Sequence, residues 1–170
     1  NLIDNVVADQ MDIGVRVGFF SNNRNVARRV NEMKFYIVGT PELVARTGAP
    51  QQVNDLFQLP YTGLIDQNTG RMWPWTFANA PDFFPASPKF ITDDPEAELE
   101  AVLAGIGYGQ LADFLCEKHI RSGKLVSVLS DQSPEPWGVY VYRPQRGPVA
   151  ERVRLVFDHL VKTLNNSTLY

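Results

Sequence analysis

Ser133-Pro134-Glu135-Pro136, followed by Val139-Tyr140-Val141-Tyr142, decides the fold of this chain. Two prolines in four residues break a helix or a ladder, because each removes a backbone donor and fixes φ. The alternating residues after them spell a strand. Val149, Val153, Val156, Leu160 and Leu164 then mark the apolar stripe of a closing helix. A break, a strand and a helix in that order imply that the chain returns to a lobe it had left. The expected organisation is a discontinuous first lobe, residues 1–39 plus 137–170, and a second lobe, residues 40–136. Two α/β lobes joined by two crossings enclose a cleft, a common place for a small-ligand site.

Upstream, the hydrophobic period changes repeatedly. Leu2, Ile3, Val6 and Val7 share one helical face, so residues 2–9 read as the end of a helix. Met11, Ile13, Val15 and Val17 alternate as in a strand that stops at Gly18. Residues 26–30 and 34–39 read as two more strands. Pro41 opens a short helix that closes near Gly48. Strands are expected at 61–66, 72–77 and 84–91. Asp93-Asp94-Pro95-Glu96 starts a helix that Gly105 stops. A strand at 106–109, a helix at 111–121 and a strand at 125–129 follow. The alternation predicts an α/β fold with a largely parallel sheet.

The chain has 170 residues, 44% hydrophobic and 21% charged, enough to bury a core and too apolar for disorder. Its net charge is −3, against a surface that itself grips nucleic acid. One cysteine, Cys116, excludes an internal disulfide and a Cys-rich metal site. No apolar run reaches the length of a membrane span, and residues 1–10 lack the layout of a signal peptide. Without an initiator Met, the chain reads as a piece of something longer.

Chemical motifs are scarce. Gly105-Ile106-Gly107-Tyr108-Gly109 does not match the dinucleotide fingerprint and lacks its strand-to-helix context. It reads as a helix stop followed by a tight backbone approach. No phosphate-binding loop and no nucleophile elbow is present. His119 and His159 lack partners at metal-ligand spacing, and Cys116 reads as a buried, inert thiol. Asp93 and Asp94 suit a helix cap better than an acid–base pair. Trp73, Pro74, Trp75 and Phe77 read as a strand laid over the core, although an aromatic platform is the other reading. Arg24, Arg28 and Arg29 read as a solvated edge. No catalytic residue, cofactor or metal is expected.

These pieces form an ordered pattern. Asp12-Ile13-Gly14-Val15-Arg16-Val17-Gly18 is followed by Val26-Ala27-Arg28-Arg29 and by Phe35-Tyr36-Ile37-Val38-Gly39-Thr40-Pro41-Glu42-Leu43. Then come Gly48-Ala49-Pro50 with Asp55-Leu56, Trp75-Thr76-Phe77, and Thr92-Asp93-Asp94-Pro95-Glu96-Ala97. Ala104-Gly105-Ile106-Gly107-Tyr108-Gly109 and Ser122-Gly123-Lys124-Leu125-Val126 close the series. In order and spacing the chain resembles the effector-binding domain of LysR-type transcriptional regulators. The resemblance implies a fold like the type 2 periplasmic binding proteins, with two lobes and an interlobe effector cleft. It implies a cytoplasmic bacterial regulator that senses a small metabolite, polar or anionic, and makes or breaks no bond. An intact regulator carries an N-terminal helix-turn-helix, so DNA would be reached only through a part that does not precede Asn1. Lobe one is expected to be N-terminally truncated as well. A solute-binding protein of the same fold serving transport is the alternative reading.

Open α/β sheets bind ligands beyond their strand ends. With the resemblance, this assigns the cleft to Gly18, Phe19 and Phe20 on lobe one and to Thr62, Gly63, Thr92 and Tyr108 on lobe two. The hinge is expected at Val38-Gly39-Thr40 and Pro136-Trp137-Gly138, where a glycine meets a change of sequence texture. The resemblance further implies a homodimer or homotetramer. Its effector domains would pair antiparallel, through the helix at 111–121 near Phe114, Leu115 and His119 and through the strand near Ile13 to Val17.

Overall fold

A computed structural model describes residues 13–18, 25–67, 69–145 and 150–166. The chain divides into two compact units, Asn1–Met33 with Pro136–Tyr170, and Lys34–Glu135. It leaves the first unit once and returns once. The expected helix at 2–9 lies outside the described residues.

The first unit holds a three-stranded sheet in the order β1-β8-β2, with β1 Gly14–Val17, β2 Asn25–Met33 and β8 Trp137–Pro144. β8 runs antiparallel to both neighbours. β1 and β2 therefore point the same way, and a strand from the far end of the sequence lies between them. This insertion makes the unit discontinuous, since its sheet has no middle without β8. The ladder shifts between Arg29 and Asn31, and the bulged Val30 turns into the core.

The closing helix, Glu151–Asn166, packs on β2 and β8. Phe157 is its anchor, buried with Val30, Val139 and Val141, while Leu160, Val161 and Leu164 pack around them. The Arg143 guanidinium lies 5.6 Å from the centre of the Phe157 ring. Of the expected stripe, Val153 is half-buried and Leu160 and Leu164 pack on this core, while Val156 turns outward. Val156 is 50% exposed, and Phe157 takes the core in its place because an aromatic ring buries more apolar area there than a valine. Val149 lies outside the described residues.

In the second unit the sheet order is β6-β3-β7, from β3 Phe35–Gly39, β6 Gly109–Ala112 and β7 Val126–Val128. β3 is again antiparallel to both neighbours. The helix-linked strands β6 and β7 are parallel to each other, as strand–helix–strand order demands, but β3 separates them. Among the described strands, only β4 Thr62–Leu64 and β5 Phe90–Thr92 pair parallel and adjacent. The expectation of a largely parallel sheet is corrected accordingly. The expected lobe boundary at Gly39 is corrected too. β3 is the middle strand of the second unit, so the passage lies between Met33 and Lys34.

The first helix of this unit, α1 Pro41–Thr47, begins at Thr40, whose hydroxyl accepts the Leu43 N–H at 3.1 Å. α2 Pro95–Leu103 begins at Asp94, which accepts the Glu96 N–H at 2.9 Å. Asp94 is the capping carboxylate the sequence predicts. α3 Asp113–Arg121 starts two residues later than expected, because residues 109–112 continue as β6. The expected strands at 72–77 and 84–91 shrink to the bridges Ile65 with Met72 and Trp75 with Phe83, plus β5. Pro74, Pro81, Pro85 and Pro88 remove the donors a longer ladder would need. Aromatic packing holds this stretch instead. Phe83 is 1% exposed and meets Tyr61 edge-on at 5.0 Å and Trp75 at 5.4 Å. Trp75 and Phe77 are core residues, as expected, while Trp73 is 40% exposed.

Candidate functional site

Gly18, in the first unit, ends β1 with φ +113°, a backbone conformation that side-chain-bearing residues rarely adopt. Its N–H donates to the Gly138 carbonyl at 2.9 Å. An expected contact residue and an expected hinge residue are thereby tied together. A Cβ at Gly18 would meet nothing within 4 Å, so the backbone there is open to approach. Phe19 and Phe20 lie outside the described residues.

Four expected contact residues fall in the second unit, around β4. Thr62 is completely buried. Its N–H donates to the Tyr108 carbonyl at 2.8 Å, and its hydroxyl donates to Glu98 Oε1 at 2.7 Å. Tyr108 is also completely buried, with its phenol donating to the Gly48 carbonyl at 3.1 Å. Gly63 follows Thr62, and Met72 Sδ stands 2.5 Å from where its Cβ would lie. Thr92 is half-buried at the end of β5, opposite Leu64, and its hydroxyl accepts the Asp94 N–H at 3.0 Å. The structure therefore brings Thr62, Gly63 and Tyr108 together, with Thr92 one strand away. Thr62 and Tyr108 are interior groups whose polar atoms are engaged within the unit.

The expected hinge residues divide. Val38 is completely buried in β3, Gly39 faces the Tyr108 ring at 2.9 Å from its Cβ position, and Thr40 caps α1. All three lie inside the second unit, beyond the passage at Met33–Lys34. Pro136 begins the returning segment, Trp137 pairs with Met33, and Gly138 pairs with Glu32. Both passages thus leave from one end of the β2–β8 ladder. Of the residues expected at an assembly surface, Phe114 is 49% exposed, Val15 54% and Val17 40%, whereas Leu115 is buried.

The sequence reading missed Glu98, 1% exposed on α2. Burial pushes its carboxyl up to about 7, against a smaller opposing effect of the Thr62 hydrogen bond. The usable signal was helical spacing, which places Glu98 on one face with Ala101 and Val102. Cys116 is completely buried, and its thiol is pushed up to about 12 by burial first and by Asp113 and Glu117 after it. A polar depression of about 560 Å³ lies elsewhere in the unit, lined by Thr40, Glu42, Glu100 and Lys124 among others. None of the expected contact residues lines it. Among the described residues no three His, Cys, Asp or Glu side chains are grouped to hold a metal ion. No described helix is long and apolar enough to cross a membrane.

The family model of the LysR substrate binding domain matches residues 1–165. The chain is 27% identical over 166 residues to the HTH-type transcriptional regulator CrgA of Neisseria meningitidis serogroup C (strain 8013), covering 96% of this chain and 54% of that protein. It is 32% identical over 164 residues to the HTH-type transcriptional regulator YcaN of Escherichia coli (strain K12), covering 96% and 53%. The chain thus spans about half the length of these relatives. Among solved structures, CrgA from Neisseria meningitidis superposes with a TM-score of 0.77 at 25% identity, over 98% of this chain and 56% of that one. The regulatory domain of AphB in Vibrio vulnificus superposes with a TM-score of 0.78 at 24% identity, over 93% and 77%, a likeness of fold. The fold is the two-lobe, type 2 periplasmic-binding-protein-like α/β arrangement of LysR regulatory domains. By sequence match over nearly its whole length and by fold, the chain belongs to the LysR substrate-binding domain family.

Proposed function

We propose that this chain is the effector-sensing domain of a bacterial LysR-type transcriptional regulator. The observation that carries the reading is the family match over residues 1–165, joined to a chain that leaves its first unit and returns to it. The matched relatives are named as transcriptional regulators, which favours gene control over solute transport. On this reading a small metabolite, polar or anionic, binds between the lobes and biases the populations of their arrangements. The bias passes through a homodimer or homotetramer to helix-turn-helix domains, the part that contacts DNA. No reaction is catalysed, and the protein works in the cytoplasm.

Gly18, Phe19 and Phe20 of lobe one and Gly63 and Thr92 of lobe two would touch the effector. Thr62 and Tyr108 would support that surface from below, since their polar atoms are already bonded. Bending would occur at Pro136-Trp137-Gly138 and at the neighbouring passage after Met33, with Val38 and Gly39 carried along on β3 and Thr40 at the cap of α1. The test is a thermal-shift screen of small carboxylates and other polar metabolites on the whole regulator, followed by DNA binding with each hit. A stabilising metabolite should also change DNA affinity. A whole protein that binds no DNA, or whose DNA binding ignores every stabilising metabolite, overturns the reading.

A further inference from the structure

The junction of α2 with β4 contains a group that sensing as described does not use. Glu98 lies in the interior, and the Thr62 hydroxyl meets its carboxyl at 2.7 Å. The same hydroxyl is 3.3 Å from the Tyr108 carbonyl. One hydroxyl proton serves one of these two acceptors at a time. A protonated Glu98 adds a second proton, so that Glu98 donates to Thr62 and Thr62 donates to Tyr108. An ionised Glu98 draws the Thr62 proton to itself and takes that bond from Tyr108.

We propose that Glu98 and Thr62 form a proton-sensitive latch between α2 and β4: with the carboxyl neutral both acceptors are served and no charge is buried, whereas on ionisation the Thr62–Tyr108 bond is given up and the charge left in the interior favours parting of α2 from β4. Glu98 is 1% exposed, so an ionised carboxylate here has little water, and among the described residues no cation forms an ion pair with it. The elements packed on α2 are β3, β4, β5, β6 and α3. The three strands β4, β5 and β6 carry no titratable side chain. β3 carries Tyr36, and α3 carries Asp113, Cys116, Glu117, Lys118, His119 and Arg121. None of these acts on Glu98, whose balance is set by burial and by Thr62. The other acids of α2, Glu96 and Glu100, are exposed, and Glu100 acts on His119 instead. The carboxyl has its midpoint near 7 in the closed state, inside the physiological range. Opening of the latch exposes it to water and returns it to its ordinary value, so a rise in pH favours opening.

Carbon-13 NMR of the Glu98 carboxyl in the 170-residue chain reads its titration directly, and a midpoint between 6 and 8 is expected, on the order of burial shifts for such groups. Hydrogen exchange, corrected for its intrinsic pH dependence, reads the latch. The amides of Thr62 and Glu98 should open roughly thirtyfold more often at pH 8.5 than at pH 5.5, from linkage of a group shifted this far. In Glu98→Gln the change should vanish. If that variant does not fold, the wild-type titration and exchange decide together. A Glu98 midpoint below about 5, the range of a solvated carboxyl, overturns the proposal, as does an unchanged exchange slope in Glu98→Gln.

Discussion

The Asp113 carboxylate accepts the backbone N–H of Lys34 at 2.9 Å, and the Asp113 N–H donates back to the Lys34 carbonyl at 2.9 Å. Residues 79 positions apart are thus joined reciprocally where the chain enters the second unit. Asp113 is 4% exposed, so its carboxylate has little water to fall back on. Asp113→Ala should leave the Lys34 donor unsatisfied and cost about 2 kcal/mol of stability. Asp113→Asn keeps an acceptor and should lose less. Urea unfolding of the three proteins measures the order, and equal midpoints for wild type and Asp113→Ala would contradict this role.

Glu98 makes global stability depend on pH in a stated direction. Its native value of about 7 lies above its ordinary 4.5, so the folded state holds the proton more tightly than the unfolded state. The contribution is fully present below pH 4.5 and is lost as pH rises through 7. The loss is on the order of 3 kcal/mol for a shift of this size. Glu98→Gln should therefore gain on wild type as pH climbs from 5 to 8. Chemical unfolding at several pH values checks the trend, and a wild-type advantage that grows with pH would reverse the sign.

Cys116 should be inert. Its thiol is buried among the elements of the second unit and donates to the Ala112 carbonyl at 3.3 Å. With its acidity pushed to about 12, almost no thiolate exists at pH 8. A disulfide reagent should react with the native chain at least a hundredfold more slowly than with the denatured chain, by the usual coupling of reactivity to thiolate fraction and access. Prompt labelling of the native protein would refute the inertness.

The phase of the closing helix has its own test. Phe157→Ala should cost about 3–5 kcal/mol, the range for removing a buried aromatic side chain. Val156→Ala, at an exposed position, should stay within about 0.5 kcal/mol. The reverse ranking in thermal unfolding would restore the stripe read from the sequence.

Gly107 is close-packed against backbone. A Cβ there would lie 2.8 Å from both Tyr61 Cα and Tyr61 N, with no flexible side-chain end to yield. Gly107→Ala should therefore destabilise by roughly 1–3 kcal/mol, as overpacking does. An alanine variant as stable as wild type would show that β4 has room to move.

Local chemistry carried the legible part of this protein. Pro41, Asp94 before Pro95 and the proline break at 133–136 mark their boundaries with residues whose backbone preferences hold in any context. The tight approach at Gly105 to Gly109 and the burial of Cys116 and Trp75 were legible for the same reason. The return of the chain was legible because a break, a strand and a helix had nowhere else to pack.

Pairing was not legible. Nothing within Phe35 to Gly39 says that β6 and β7 flank it, and nothing within Val139 to Tyr142 says that β1 and β2 do. Strand neighbours are chosen by contacts far apart in sequence, and that choice moved β3 from one unit to the other. It also buried Thr62 and Tyr108, which look from the sequence like residues free to meet a ligand. Glu98 shows the same limit from the other side. Its helical spacing sets it beside Ala101 and Val102, but nothing on α2 says what covers that face, and the packing of β4 over it removes the water that would have kept it ionised.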